Sequence, residues 1–229
     1  MDGRRDQSFL SIRTVITAGL AACLLALIQT PARAQTGAVM IPVEKMTVGA
    51  APTDFEFART GQGGPSQWVV VDDSGASGSR AIEQSSTDRT DYRFPLAIYQ
   101  STTAKNVEVA LRFKPMAGKV DQAGGIAVRL TSPNDYYLVR ANALENNVRF
   151  YRIVKGRREQ LMTANVKVAG GAWHTLGLKA ENERFTVTFN GKALYSTTDR
   201  TFPAAGRIAL WTKSDSVTRF DQINIQILP

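Results

Sequence analysis

The sequence predicts an all-β protein, an antiparallel β-sandwich, on three observations. From Asp54 to the C-terminus, segments of six to ten residues with period-two alternation and β-branched or aromatic enrichment follow one another, divided by Gly, Pro, Asn and Asp. Several of the joints between them carry specific turn chemistry. No window shows the 3.6-residue apolar stripe and caps of a long amphipathic helix.

The elements follow in order. DFEFART, QWVVVDD and RAIEQS open the pattern. VEVALRFKP, GGIAVRLT, YYLVRANA and VRFYRIVK alternate so that one face of each strand turns inward and the other outward. WHTLGLKAE, FTVTFN, KALYST, GRIALWTK and FDQINIQI complete twelve candidate strands, whose even spacing suits a sandwich and not alternating strand–helix units. Asn190-Gly191 tolerates the two positive φ angles of a two-residue hairpin between FTVTF and KALYS. Ser132-Pro133-Asn134-Asp135 and the stretch from Leu144 to Asn147 supply the turns on either side of YYLVRANA, so these neighbours form a meander.

Residues 1–34 have the three parts of a secretory signal: Arg4, Arg5 and Arg13, an apolar run from Thr14 to Ile28, and the triplet Ala32-Arg33-Ala34. Cleavage is expected after Ala34, giving a periplasmic or extracellular protein. The run is short for a permanent span, so no transmembrane segment is expected in the mature form. A competing reading takes Leu20-Ala21-Ala22-Cys23 as a bacterial lipoprotein box anchoring the chain through Cys23; against it, the apolar run continues past the cysteine. Residues 35–53 read as a leader or edge segment and 54–229 as one sandwich domain. Removing the signal removes the only cysteine, and with it disulfide and thiolate chemistry.

Net charge is +8, and the signal holds four arginines against Asp2 and Asp6, which leaves +6 spread along the mature part. Nucleic-acid binders gather their charge on one face, so no nucleic-acid partner is expected. The densest cluster, Lys155-Gly156-Arg157-Arg158, reads as the solvated tip of a hairpin.

From Val107 to Ile227 the succession VEVALRFKP, GKVDQAGGIAVRL, SPNDYYLVRANALENNVRFYRI, WHTLGLKAENERFTVTFNGKAL and TFPAAGRIALWTKSDSVTRFDQINI resembles the concanavalin A-like (laminin-G-like) jelly-roll superfamily. Within it the likeness is to secreted bacterial domains labelled 3-keto-disaccharide hydrolase-like or family 16 glycoside-hydrolase-like. The resemblance implies two curved antiparallel sheets packed face to face, with glycans bound in the groove of the concave one. It leaves function open, because the fold hosts lectins, glucanases, binding modules and adhesion domains.

Family 16 enzymes place their carboxylates on one strand as Glu-x-Asp-x-x-Glu, and the chain has no such run. Asp121, Asp135, Glu145, Asp215 and Asp221 are the acids that separate strands could bring together, each with a turn or surface role as the alternative. His174, the only histidine, is in phase with Leu176, Leu178 and Ala180 and reads as an inward, hydrogen-bonded side chain rather than a base or ligand. No serine sits in a nucleophile elbow and no glycine-rich loop opens a helix. No cofactor is expected. Calcium, which many laminin-G-like domains hold, would draw on Asp121 or Asp215 without an Asp-x-Asp-x-Asp loop to support it.

Alternation also sorts the faces. Ile126, Val128 and Leu130 are expected inward with Arg129 outward; Tyr137, Val139 and Ala141 inward with Tyr136, Arg140 and Asn142 outward. Val148 and Phe150 point in, Arg149 and Tyr151 out, and Trp211 is out of phase with Ile208 and Leu210. On a concave sheet these strands would present Arg129, Tyr136, Arg140, Asn142, Tyr151, Trp211 and Lys213 to a carbohydrate ligand, aromatic rings stacking on the sugar and Arg and Asn bonding its hydroxyls. The alternative is that Tyr136 and Trp211 cover loop ends and the arginines are solvated. Three functions remain: glycan recognition without turnover, hydrolysis of a (3-keto-)disaccharide, or an envelope adhesion or scaffold role.

Overall fold

The computed structural model describes residues 37–229, so the secretory signal, its cleavage point and Cys23 lie outside the described residues. The described residues form fifteen strands: β1 (Gly37–Met40), β2 (Phe55–Gly61), β3 (Trp68–Asp72), β4 (Arg80–Gln84), β5 (Arg93–Ala104), β6 (Val107–Ala117), β7 (Ala123–Ser132), β8 (Asp135–Asn142), β9 (Asn147–Val154), β10 (Arg157–Asn165), β11 (His174–Glu181), β12 (Arg184–Phe189), β13 (Lys192–Thr198), β14 (Gly206–Thr212) and β15 (Val217–Ile227). Among them are two short 3-10 turns and no α-helix.

Two antiparallel sheets make the sandwich. One runs β13-β12-β11-β6-β15-β4-β3 with β1 added along β15, and the other runs β10-β9-β8-β7-β14-β5-β2. The core between them takes the inward residues of both, among them Leu111, Phe113, Leu178 and Phe185 facing Val128, Tyr137, Val139, Phe150 and Leu210. Residues 37–53, the described part of the expected leader or edge segment 35–53, supply β1 and bury Ile41, Val43 and Met46 in this core.

The turn chemistry appears where the sequence puts it. Asn190 and Gly191 have φ of 48° and 77°, the paired positive values of a two-residue hairpin. Lys155 and Gly156, at 49° and 79°, make a second such turn between β9 and β10. Three strands carry no clear alternation. In β5 all of Arg93–Tyr99 is buried, so no polar face marks it, and Pro95 argues against a strand. At the sheet edge β10 is polar and half-exposed, and β1 has four residues.

Alternation fails inside two strands that it does identify. In β15 Gln222 has φ of 45° at a bulge against β6, so Phe220, Ile223 and Ile225 all enter the core. Arg129 has φ of 51° at a bulge in β7, where the register shifts against both β8 and β14. A bulge re-aims every side chain beyond it. Leu130, expected in the core between the sheets, therefore lies on the opposite face with Leu96 and Leu138.

Candidate functional site

The outer face of the seven-stranded sheet, the face turned away from the partner sheet, divides into a closed part and an open part. The right-handed twist of a long sheet brings one pair of diagonal corners toward each other. Here the corner at the end of β2 and the start of β5 meets the hairpin tips of β7–β8 and β9–β10. Tyr92 donates its hydroxyl to the Gly156 carbonyl at 3.0 Å and accepts the Arg158 N–H at 2.8 Å. The hydroxyls of Thr60 and Tyr136 lie 2.8 Å apart, and Thr60 donates to the Pro133 carbonyl.

Under these contacts sits a second apolar core of Phe94, Leu96, Tyr136, Leu138, Tyr151 and Trp211. The Phe94 and Trp211 rings are 5.3 Å apart. Burial pushes the Tyr136 hydroxyl pKa up, in spite of its bond to Thr60.

Beside this core lies a polar network built on β7, β8 and β9. Trp211, Gly125, Arg140 and Arg149 form one row across four strands, and Ala123, Asn142 and Asn147 form the next. Glycine is needed in the first row, since a Cβ at Gly125 would stand 2.6 Å from the Val139 carbonyl oxygen and 3.1 Å from the Arg140 Cβ. Glu145, in the β8–β9 turn, accepts from Arg140 at 2.9 Å and from Asn147 at 3.1 Å, and pairs with Arg149 at 3.2 Å. Arg140 also donates to Asn147 and, at 3.2 Å, to the Tyr151 hydroxyl. Asn142 donates through one amide nitrogen to both Asp121, at 2.5 Å, and Glu145, at 3.2 Å. Lys213 bridges Asp121 at 3.0 Å and Asp91 at 2.6 Å.

The two carboxylates joined by Asn142 have opposite environments. Burial raises the Asp121 pKa, with Lys213 pulling the other way. At Glu145 burial is outweighed by Arg140, Asn147 and Arg149, which hold it below its usual value.

Six of the seven expected site residues, Tyr136, Arg140, Asn142, Tyr151, Trp211 and Lys213, share this face. Arg129 does not. The bulge turns it to the edge of the core between the sheets, where its guanidinium donates to the carbonyls of Lys105, Phe202 and Asn182 and lies 5.2 Å from the Phe185 ring. A second correction concerns exposure: Tyr136 and Trp211 are 0 % exposed, Asn142 1 %, Arg140 2 % and Tyr151 3 %. The twist covers the rings that were expected to be open for stacking. The polar side chains of this face that reach solvent are at its margin: Arg149 and Glu145, 33 % and 38 % exposed, and the part-exposed Arg158. Arg158, in the cluster Lys155-Gly156-Arg157-Arg158, lies at the start of β10 with its guanidinium between the Tyr151 and Phe94 rings.

The other candidates resolve into structural roles. His174 is buried against Phe113 and Phe189 and hydrogen-bonds the Ala169 backbone and the Asn190 amide. Asp135 holds the β7–β8 turn by accepting from Ser132 and from the Lys155 N–H. Asp221 lies on the outer face of the eight-stranded sheet, accepting the Ser77 N–H and facing Arg112 at 3.4 Å. Asp215 accepts the backbone N–H groups of Lys119, Val120 and Asp121 at 2.7 to 3.0 Å, which anchors the β6–β7 turn. It floors a cleft of about 650 Å³ at the sandwich rim, also lined by Arg89, Lys119 and Gln122. Among the described residues no group of three or more His, Cys, Asp or Glu side chains could hold a metal ion.

A family model described as galactocerebrosidase, C-terminal lectin domain, matches residues 97–228, more than half of the chain. The chain belongs to that family. The matched stretch begins within β5 and takes in β6 to β15, so the residues of this face from Asp121 to Lys213 fall inside it, and Tyr92, Phe94 and Leu96 precede it.

Solved structures share the fold of this family member at low identity. Carbohydrate-binding module CBM66 from Bacillus subtilis is 16 % identical, with a TM-score of 0.58 over 74 % of this chain and 94 % of that one. A β-glucanase from Bacillus licheniformis is 12 % identical, with a TM-score of 0.54 over 84 % and 99 %. Domain 4 of an extracellular arabinanase from Geobacillus stearothermophilus, solved with arabinotriose, is 14 % identical, with a TM-score of 0.54 over 84 % and 93 %. No curated protein matches the sequence.

Proposed function

We propose that this protein is an exported carbohydrate-recognition domain that holds its glycan on the open part of the seven-stranded sheet's outer face. The observation that carries the reading is the convergence of Arg149, Glu145 and Arg158 at the margin of a rigid floor. Arg140 ties that floor together through bonds to Asn147 and Tyr151, and Asn142 and Asn147 donate to Glu145. Forked guanidinium donors beside a carboxylate acceptor match the paired hydroxyls of a sugar ring. Membership of a lectin-domain family supports the same reading, as does the fold shared with a carbohydrate-binding module and with an arabinanase domain solved with arabinotriose. Titration of the protein with a panel of oligosaccharides is expected to give saturable binding that Glu145→Ala weakens at least tenfold. Saturable binding left intact by Glu145→Ala would move the site elsewhere, with the rim cleft beside Asp215 first in line.

A second reading, hydrolysis of a (3-keto-)disaccharide, is favoured by one observation. Asp121 and Glu145 both bond the Asn142 amide nitrogen, so their oxygens are about 6 Å apart at most, and their surroundings push their pKa values apart. Against it, Asp121 is 2 % exposed and capped by Lys213. Product release from 3-keto-glycosides that Glu145→Gln abolishes would decide for the enzyme.

A further inference from the structure

The open part of the face gathers positive charge that its own carboxylates leave unmatched. Three arginines surround one phenol: the guanidinium carbon of Arg158 lies 4.8 Å from the Tyr151 ring centroid and that of Arg140 5.9 Å, while Arg149 stands beside Arg140 in the next strand. Glu145 is the only carboxylate paired with any of the three among the described residues, and it is divided between Arg140 and Arg149. Arg158 is held between the rings of Tyr151 and Phe94, 5.0 Å from the latter, and its guanidinium makes no ion pair or hydrogen bond among the described residues. Arg149 Nε and Arg158 Nη1 are buried without a partner, so an arriving anion would meet the other nitrogens of these guanidinium groups. Lys213 adds little to this excess, because it has Asp91 and Asp121 of its own.

Gathering like charges is unfavourable unless an anion completes the set, and two planar forks fit a carboxylate or sulfate. Resting on the glycan reading above, we propose that the ligand is an acidic glycan, a uronate or sulfated sugar, whose anionic group seats between Arg149 and Arg158. The aromatic clamp fixes Arg158 before the ligand arrives, so little side-chain entropy is lost on binding.

The test measures binding of the intact protein to polygalacturonate, chondroitin sulfate and neutral arabinan, at low and high salt, beside Arg158→Gln and Arg149→Gln. The expected result is at least tenfold tighter binding of an acidic glycan than of arabinan, weakened by salt. Each substitution is expected to lower acidic-glycan binding about tenfold, or 1.4 kcal/mol, with the melting temperature nearly unchanged. Preference for polygalacturonate points to a uronate and preference for chondroitin sulfate to a sulfate, and either supports the proposal. Arabinan binding that equals or exceeds acidic-glycan binding overturns the acidic ligand and leaves the glycan reading standing. Acidic-glycan binding indifferent to both substitutions is diffuse polyelectrolyte attraction and overturns the site. Failure of all three polymers to bind overturns this proposal together with the reading on which it rests.

Discussion

The two outer faces of the sandwich handle charge in different ways. At the centre of the eight-stranded sheet's outer face the cations meet carboxylates: Lys114 and Arg219 meet Asp73 at 3.1 and 2.9 Å, Arg219 also meets Glu83 at 2.7 Å, and Arg112 faces Asp221 at 3.4 Å while lying 4.6 Å from the Trp173 ring. On the outer face of the seven-stranded sheet Arg140 and Arg149 share Glu145, and Arg158 meets no carboxylate among the described residues. At the centre of the first face three cations are balanced by Asp73, Glu83 and Asp221. The second leaves Arg158 without a carboxylate over a floor of mutually bonded side chains, and the binding proposal rests on that difference.

The largest expected effect breaks the closed part of the seven-stranded face. Trp211 is fully buried on Phe94 in a core that the eight-stranded outer face lacks. Trp211→Ala should cost about 3 to 5 kcal/mol, the range for emptying a large aromatic site. Denaturant unfolding measures it. A loss below about 1 kcal/mol would mean that the corners do not close over this core and that the ring is open to ligand after all.

That closure marks where the sequence stopped being legible. Period-two alternation assigned Tyr137, Val139, Phe150 and Leu210 to the core between the sheets and Tyr136, Arg140, Tyr151 and Trp211 to the other face, because each lies in a strand with an unbroken pleat. It misplaced Arg129 and Leu130 because a bulge is a matter of backbone geometry and leaves no compositional trace when the residue is not glycine. It took the outer face for open because alternation reports which side a residue is on, and only the accumulated twist of seven strands says whether the sheet's own corners cover that side. The meeting of Asp121 with Glu145 was equally hidden: the two belong to different turns and converge on Asn142 through pairing of β7 with β8. Strand β5 escaped for the opposite reason, being too buried on both faces to alternate.

A smaller effect separates the faces by pH. On the eight-stranded face, burial of Asp73 is outweighed by Arg219, the Gly75 N–H and Lys114, which lower its pKa to about 2. A carboxyl depressed on folding contributes stability that is present above its unfolded pKa of about 4 and lost as pH falls toward 2. The shift corresponds to about 2 kcal/mol, so Asp73→Asn should lose about that at pH 7 and converge on the unmodified protein near pH 2. Asp121, on the other face, has its pKa raised by burial, so its sign is reversed: its ionised form is disfavoured by folding and the strain eases as pH falls. Asp121→Asn should therefore lose less at pH 7 than Asp73→Asn does. Thermal melts of both variants from pH 7 to pH 2 check the contrast, and parallel curves would show that the two carboxyls titrate alike.

The smallest expected effect tests whether exposure alone sets the value of an ion pair. Lys179 and Glu181 lie two residues apart on β11, on the outer face of the eight-stranded sheet, 3.2 Å apart with side chains 39 % and 46 % exposed. Solvent screens such a pair and the long side chains lose rotamer freedom in forming it, so Lys179→Ala should change stability by no more than about 0.5 kcal/mol. Arg149 and Glu145 are similarly open, at 33 % and 38 %, and lie at the same 3.2 Å. Besides the exchange of lysine for arginine they differ in their setting, since Glu145 is also fixed by Arg140, Asn142 and Asn147. A double-mutant cycle on each pair, read by urea unfolding, should give a coupling near zero for Lys179 with Glu181 and a larger one for Arg149 with Glu145, because the second carboxylate is already held in place. Equal couplings would mean that the network around Glu145 does not preorganise it, and the rigid floor on which the binding reading depends would be lost.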